Sequence, residues 1–238
     1  MNKSYKVFSV IIILFFSCKK NDYSNNKIKV LENKEVLIQD FKKKEKVLND
    51  KKEENHVKLD NDNVIPFLSE FGKNNIENKV RIITKYGNID IKLFNETPFH
   101  RANFIYLTKI NYFNGTVFHR VVKDFIIQGG NSDSYEISKR RRKIGRYLIP
   151  PDSKKGFKHH RGIISTPVSD IKNPHKLASP YEFFIVQSKN GAYHLDSNYT
   201  PFGKVINGIE VVDLISNLKT DKSDWPLDDV EIKIEILN

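Results

Sequence analysis

The segment Gly115–Gly130 has the sequence GTVFHRVVKDFIIQGG, and it decides how the rest of the chain is interpreted. Two short apolar stretches flank a polar turn, and a glycine pair ends the segment, which predicts two adjacent strands. Arg120 lies between the apolar residues Phe118 and Phe125. A cation among apolar strands is costly unless it is paired or used in function. Arg120 is therefore the first candidate for a functional residue.

The first 17 residues have the features of an export signal. Lys3 and Lys6 precede the apolar run Val7–Phe16, which is too short to cross a bilayer as a helix. Ser17-Cys18 follows at once, and Cys18 is the only cysteine of the chain. The segment resembles a bacterial lipoprotein signal, in which Cys18 becomes the lipid-modified first residue of the mature protein. This predicts a membrane-anchored protein of the cell envelope, facing the periplasm or the exterior; simple secretion is the alternative.

The residues between this signal and the folded part are strongly charged. Residues 18–63 lack the large apolar side chains that a core needs, so we expect a largely disordered tether or a solvated charged helix. The folded domain, with an N-terminal extension, is predicted over residues 64–238. The net charge of +11 is concentrated between Lys139 and Arg161, which hold ten basic residues and one acid. We interpret this segment as a basic loop, and the absence of a recognisable reader module argues against nucleic acid as a partner.

Alternation of apolar and polar residues predicts further strands along the domain. A hairpin is expected at Val80–Phe94 with its turn at Gly87-Asn88, and Thr97-Pro98 predicts the start of a helix that ends near Ile110. More strands are expected at 183–187, 201–206 and 230–237, and a second helix at 207–218. Many short strands with two helices indicate a mainly β fold, a closed antiparallel barrel capped by helices.

Four segments in this order resemble the cyclophilins, the cyclosporin-binding peptidyl-prolyl cis-trans isomerases. The resemblance covers about residues 79–237 and rests on Phe118-His119-Arg120 with Asp124–Gly130, Gly162–Ser165, Glu182–Ile185, and Leu195-Asp196 with Phe202–Val205. It implies an eight-stranded antiparallel barrel capped by two helices, with the site on its outer face. It also implies a monomer that needs neither cofactor nor metal and binds proline-containing polypeptides.

The resemblance also assigns roles to residues of this chain. Arg120 would donate to the prolyl nitrogen, Gln128 would hold Arg120 and the substrate backbone, and His119 would lie beside the site. The apolar pocket for the proline ring would consist of Phe125, Ile126, Phe184 and Leu195. The implied function is isomerisation of Xaa-Pro bonds in exported proteins, which assists their folding.

The chain departs from the cyclophilin pattern in ways that leave alternatives open. Glu182 stands where the family usually has glutamine, and its carboxylate could pair with Arg120 or orient it from one side. The basic segment is either a solvated loop or a surface that attracts acidic peptides or anionic lipid head groups. The alternative function is a catalytically weak scaffold that binds proline-containing peptides as a chaperone or interaction module.

Overall fold

A computed structural model describes residues 57–152, 156–168 and 173–237. The predicted signal peptide, Cys18 and most of the predicted tether lie outside the described residues. The compact unit extends from Val57 to the C-terminus. None of the described helices has both the length and the apolar character needed to cross a membrane.

The core of this unit is a closed barrel of eight antiparallel strands, which confirms the predicted fold. The strands are β1 (Lys79–Thr84), β2 (Gly87–Leu93), β3 (Thr116–Val122), β4 (Ile126–Asn131), β5 (Ile163–Thr166), β6 (Phe183–Val186), β7 (Thr200–Asn207) and β8 (Glu231–Ile236). Their order around the barrel is β1-β2-β7-β5-β6-β4-β3-β8. Closure leaves no strand edge free for pairing with another chain.

Four α-helices of the described residues pack on the barrel: α1 (Val64–Asn74), α2 (Pro98–Lys109), α3 (Tyr135–Ile144) and α4 (Ile209–Ser216). Helices α2 and α4 are the two that the sequence predicts, and α2 begins at the expected proline. Helix α2 is buried on almost every face, because α1 covers the side turned away from the barrel. The rings of Phe67 and Phe71 in α1 pack edge-on against Tyr106 of α2.

Several elements differ from the sequence-based expectations. The turn of the first hairpin lies at residues 85–86, because Gly87 already pairs with Thr84. The first residues of the predicted basic loop form the second half of helix α3. Ser134 caps the start of this helix by accepting a hydrogen bond from the backbone of Glu136. Gly72, a residue type that often follows the end of a helix, lies inside α1, where a β-carbon would come within 3.1 Å of Ala102.

The folded unit also begins earlier than predicted. Sequence analysis placed residues 57–63 in the charged tether, but Leu59 is fully buried in the barrel's main apolar cluster. Its backbone donates to the Ile144 carbonyl at 2.7 Å and accepts from the Arg146 amide at 3.0 Å. This short segment therefore fixes the C-terminal end of α3.

The local structure of β3 explains how Arg120 avoids the barrel interior. The pairing of β3 with β4 shifts register between Phe118 and Arg120, which marks a β-bulge at His119. A bulge adds one residue and reverses the alternation of side chains beyond it. Phe118 and Val121 therefore face the core, whereas His119 and Arg120 both face outward.

The glycine pair at the end of the opening segment has two separate steric causes. A β-carbon at Gly129 would lie 2.7 Å from Ile232 in the filled barrel interior. Gly130 has a φ of +96°, and a β-carbon there would lie 2.4 Å from the Tyr181 carbonyl oxygen. Both positions therefore need glycine for the strands beside the site to pack as they do.

Candidate active site

A groove of about 560 Å³ lies on the outer face of the barrel. Its lining comes from four separate parts of the chain: Arg120, Phe125, Ile126, Gln128, Pro167, Val168, Ser179, Glu182, Phe184, Leu195 and Tyr199. All the sequence-predicted pocket residues are among them. The other four lining residues, Pro167, Val168, Ser179 and Tyr199, are not among those to which the resemblance assigns a role.

The floor of the groove is a second apolar cluster, separate from the barrel interior. Alternation along β6 sends Phe183 and Ile185 inward, while Phe184 joins Ile126 and Leu195 on the outer face. Phe184 is only 2% exposed and Leu195 only 9% exposed, so this floor is well packed. It offers an apolar surface of the kind that a proline ring can bury.

Arg120 projects from β3 at one side of this floor. Its side chain is 40% exposed, and its Nε lies 3.5 Å from a carboxylate oxygen of Asp224. Asp224 belongs to the loop before β8 and was not predicted from the sequence. Arg120 is therefore both paired and available for function, because it forms a partly exposed ion pair and also lines the groove.

Glu182 contacts other groups than Arg120. Its carboxylate accepts hydrogen bonds from the side-chain amides of Gln128 at 2.9 Å and Asn131 at 3.3 Å. An ion pair joins it to Arg141 at 3.6 Å, and the Nε2 of His119 lies 3.6 Å from the same carboxylate. No ion pair joins Glu182 to Arg120, and both residues lie in the described part of the chain. The carboxylate thus does not compete directly for the guanidinium.

Glu182 is held in its ionised form. Burial alone would raise its pKa, but His119, Arg141 and Gln128 outweigh burial and lower the pKa of Glu182 below its ordinary value. An ionised carboxylate can only accept hydrogen bonds, so it turns the NH₂ group of Gln128 toward itself. The carbonyl oxygen of Gln128 then faces away from Glu182.

Gln128 does not hold Arg120 in the way the resemblance implies. The two residues are cross-strand partners in β3 and β4. Within the described ranges, however, no hydrogen bond joins their side chains, and the Gln128 amide donates to Glu182 instead. The physical reason is the carboxylate at position 182, which is a stronger acceptor than a neutral amide.

His119 lies beside the groove rather than in its lining. Its ring packs against Trp225 with centroids 5.8 Å apart, and its Nε2 approaches Glu182. Its Nδ1 is buried and has no hydrogen-bond partner among the described residues. Trp225 follows Asp224, so one loop contacts both His119 and Arg120.

A buried polar network supports the floor from below. The backbone and the Nδ1 of His159 contact one oxygen of Asp196 at 2.9 and 2.8 Å, and the Nε2 contacts the Ser165 hydroxyl at 3.1 Å. Burial lowers the pKa of His159, whereas hydrogen bonds from His159 lower the pKa of Asp196 despite its desolvation. Ser165 is fully buried, so this serine, histidine and aspartate set cannot act as a hydrolytic triad.

The same network accounts for the adjacent histidines that the sequence presents. His159 stacks on Phe184 with ring centroids 6.0 Å apart, so it positions the groove floor. His160 contacts the Tyr193 hydroxyl through its Nδ1 at 2.9 Å. The described residues contain no group of three or more histidine, cysteine or acidic side chains arranged to hold a metal ion.

The barrel and groove define a class of protein: a small β-barrel with an apolar outer pocket and one adjacent arginine. The sequence profile described as "Cyclophilin type peptidyl-prolyl cis-trans isomerase/CLD" matches residues 79–235. The chain belongs to this family. The match begins with β1 and ends within β8, so it covers the whole barrel.

Individual relatives agree with this family. The chain is 37% identical over 157 residues to the Gallus gallus protein "Peptidyl-prolyl cis-trans isomerase-like 3". This match covers 65% of the chain and 92% of the Gallus gallus protein. It is 36% identical over 145 residues to a "Peptidyl-prolyl cis-trans isomerase" of Acinetobacter baylyi, covering 59% and 73% of the two chains. A Rhizopus delemar relative, "Peptidyl-prolyl cis-trans isomerase-like 2", is 37% identical, but the match spans only 27% of its length.

Solved structures give the same result. A cyclophilin-type isomerase from Cryptosporidium parvum is 32% identical, with a TM-score of 0.56, and the match covers 68% of this chain and 98% of that one. The same protein was also solved in the presence of the dipeptide Ala-Pro, with a TM-score of 0.55 to this chain. The domain is therefore a cyclophilin-type peptidyl-prolyl cis-trans isomerase domain.

Proposed function

We propose that this protein accelerates the cis-trans isomerisation of Xaa-Pro bonds in exported polypeptides and that Arg120 is its catalytic residue. The uncatalysed barrier is about 18–20 kcal/mol, because the C–N bond has partial double-bond character. In the twisted state the prolyl nitrogen becomes pyramidal and gains a lone pair. A guanidinium that donates to this lone pair stabilises the twisted state more than either planar state.

The surroundings of Arg120 suit that role. Its Nε side is turned toward Asp224, and its head group reaches the groove that the apolar floor forms. Phe125, Ile126, Phe184 and Leu195 would bury the proline ring, which fixes the prolyl nitrogen relative to the donor. If donor and pocket together lowered the barrier by about 7–8 kcal/mol, the rate would rise roughly 10⁵–10⁶-fold.

Gln128 would bind the substrate backbone. Glu182 fixes the orientation of its amide, so the carbonyl oxygen is available to accept from a substrate N–H. His119 would help to keep Glu182 in place, because its Nε2 approaches the same carboxylate oxygen that accepts from Gln128. Glu182 thus acts as a positioning residue for Gln128 in this proposal.

The observation that carries the proposal is the placement of Arg120 beside a packed apolar floor. The test is isomerisation of a proline peptide, measured without protease by NMR exchange, with wild type and Arg120→Ala. We expect the variant to lose at least about 100-fold in kcat/KM, since removal of one transition-state donor has that effect. Lys123→Ala, an exposed cation three residues away, is the matched control and should behave as wild type.

The same measurement separates the second candidate function. Pro167 and Val168 form one groove wall, and Glu182 occupies a position that is usually glutamine in the family; both features favour a peptide-binding scaffold with little turnover. Equal rates for wild type and Arg120→Ala, together with retained peptide binding, would replace the enzymatic role of Arg120 with this chaperone role.

We also propose that the domain works at a membrane surface of the cell envelope as a lipoprotein. The support is the sequence alone: two lysines, an apolar run of ten residues and then Cys18. A flexible segment of some 40 residues would extend about 35 Å on average. A groove held at that distance could reach polypeptides as they leave the membrane.

A further inference from the structure

A second cavity, of about 750 Å³, adjoins the groove and will be called the basic pocket. Its lining consists of Asn61, Ser138, Arg141, Arg142, Gly145, Arg146, Tyr147, Leu148, Ser179, Pro180 and Tyr181. Ser179 lines both cavities, and Glu182 of the groove follows Tyr181 of the basic pocket. The two cavities are therefore neighbours along one short stretch of chain.

The basic pocket presents cations that have no acidic partner. The Arg142 side chain is exposed and contacts the Tyr135 ring, with its guanidinium carbon 5.5 Å from the ring centroid. Arg146 is also exposed, and its side chain makes no ion pair or hydrogen bond to any residue the structure describes. Arg141 differs, because it donates to the Tyr112 hydroxyl and the Gly130 carbonyl and pairs with Glu182.

The acidic groups near the pocket do not cancel this charge. The Glu182 carboxylate already contacts the side chains of Gln128, Asn131, His119 and Arg141. The Asp60 carboxylate, on the Asn61 side, accepts from the backbone of Asp62 and Asn63. Asp62, Asp133 and Glu136 are exposed, and no described cation pairs with them. An anion that enters the pocket therefore meets two uncompensated guanidinium groups.

The pocket is built on a fixed scaffold. Arg140 ties α3 to the barrel by donating to the carbonyl oxygens of Asn111, Tyr112 and Asn114. The Tyr181 hydroxyl donates to the Gly145 carbonyl at 2.8 Å, and Leu59 braces the end of the helix. Because this scaffold is ordered beforehand, binding there loses little conformational entropy.

We propose that the basic pocket binds an anionic side chain, carboxylate or phosphate, of the same polypeptide whose proline lies in the groove. This rests on the proposed function. Ser179 and Glu182 are three positions apart, so the chain between them spans at most about 10 Å. The anionic residue should therefore lie two to four positions from the proline. The concave shape and the wall shared with the groove favour a polypeptide over a flat membrane surface.

The test compares proline peptides that carry either Glu or Gln at each position from four before to four after the proline. The full-length protein is used in detergent, and kcat and KM are measured by NMR exchange. For at least one position we expect the Glu peptide to have a KM about three- to tenfold lower than its Gln counterpart. Phosphoserine peptides distinguish the sources: preference for phosphoserine alone assigns a phosphate site, and preference for both assigns any anionic side chain.

Variants connect the preference to the pocket. The KM of the Gln peptide divided by that of the Glu peptide measures the preference. In the double variant Arg142→Gln/Arg146→Gln this ratio should fall to near one, and 0.5 M salt should lower the ratio of wild type. Lys139→Gln removes the same charge from an exposed position of α3 outside the pocket, and its ratio should match wild type. The single variant Arg146→Glu should shift the preference toward peptides that carry Lys. This variant replaces the double variant as the test if the double variant fails to fold.

Three results would overturn the proposal. One is the same KM in wild type for the Gln peptide as for both the Glu and the phosphoserine peptide at every position. Another is equal loss of preference in Lys139→Gln and in the double variant. The third is binding to phosphatidylglycerol vesicles that depends on Arg142 and Arg146 without any peptide preference, which would assign the surface to membranes. If wild type turns over neither peptide, the proposed function fails, and the Glu and Gln dissociation constants from NMR titration still test the pocket.

Discussion

At the scale of single residues, Asp224 controls how Arg120 is presented to the groove. It contacts the Nε side of the guanidinium, which leaves the terminal nitrogens for a substrate. Its backbone has a φ of +63°, a conformation that aspartate and asparagine adopt more readily than other side chains. Asp224→Asn therefore removes the charge while the loop keeps its conformation.

We predict that Asp224→Asn lowers kcat/KM by about two- to fivefold at low salt, because a partly exposed ion pair contributes about 0.2–1 kcal/mol. The NMR exchange assay used for Arg120 measures this. The difference from wild type should shrink at 0.5 M salt, since screening already weakens the pair. A rise in kcat/KM would instead mean that Asp224 competes with substrate for Arg120.

The lowered pKa of Glu182 predicts how the free energy of unfolding depends on pH. Its folded-state pKa is lowered, so the ionised form contributes stability above the unfolded pKa near 4.3. That contribution is lost as the pH falls through the folded pKa. The free energy of unfolding of wild type should therefore fall more steeply below about pH 4.5 than that of Glu182→Gln.

Urea unfolding of both proteins at pH 3.5, 4.5 and 7 measures this difference. Other carboxylates titrate in the same range, but they are present in both proteins and cancel in the comparison. Parallel curves for the two proteins would show that Glu182 has the same pKa folded and unfolded. Because Glu182 does not pair with Arg120, we expect kcat/KM of Glu182→Gln to stay within about threefold of wild type.

The groove residues that the sequence identified all lie in short segments that resemble the family. Arg120, Phe125, Ile126 and Gln128 belong to the first of these segments, and Phe184 and Leu195 belong to two later ones. Asp224 and Trp225 lie some 100 residues later in a loop without periodicity, so only the closed barrel brings them to β3. The bulge at His119 was also beyond sequence reasoning, since register depends on the partner strand.

At the scale of elements, the segment before α1 stabilises α3. Leu59 is fully buried, and Gly145 pairs with it so closely that a β-carbon there would lie 1.8 Å from the Leu59 carbonyl oxygen. We predict that Leu59→Ala lowers the free energy of unfolding by about 2–5 kcal/mol, the usual cost of a cavity in a core. Urea unfolding measures it.

The matched control for this prediction is Val57→Ala, two residues earlier, where the side chain is 57% exposed. It should change the free energy of unfolding by less than about 0.5 kcal/mol. If Leu59→Ala were as mild as Val57→Ala, residues 57–63 would belong to the tether, as their composition suggests. In that case α3 would be held by Arg140, Arg141 and Tyr181 without help from Leu59.

Strands were predicted more reliably than the added elements. Alternation in β1, β2 and β8 follows directly from one buried face, so their positions were close to those observed. Helix α3 was not predicted, because most of its residues are charged or polar and its apolar pattern is short. Ile137 and Ile144, two turns apart, are nevertheless both buried. Ser134 as N-cap and Gly145 after the last turn are signals that could have found it.

At the scale of the whole molecule, the excess positive charge has a structural location. Part of the basic stretch lies on α3 and on the turn after it, next to the groove. The stretch between 19 and 75 is nearly balanced, with 13 lysines and 11 acids. The excess positive charge therefore acts on molecules that approach the groove. Because it is confined to one region, its distribution does not support a general affinity for polyanions.

The final prediction concerns the anchor at the other end of the chain. If Cys18 is lipid-modified, the mature protein should partition into the detergent phase and be heavier than its amino-acid sequence from Cys18 onward. One acyl chain alone binds membranes only weakly, so stable partitioning requires more than one chain on Cys18. Cys18→Ser should move the protein to the aqueous phase while kcat/KM on a soluble proline peptide stays the same, because the groove lies within residues 120–199. Phase separation and intact-mass measurement of both proteins provide the test, and identical partitioning and mass would assign the first 17 residues to ordinary secretion.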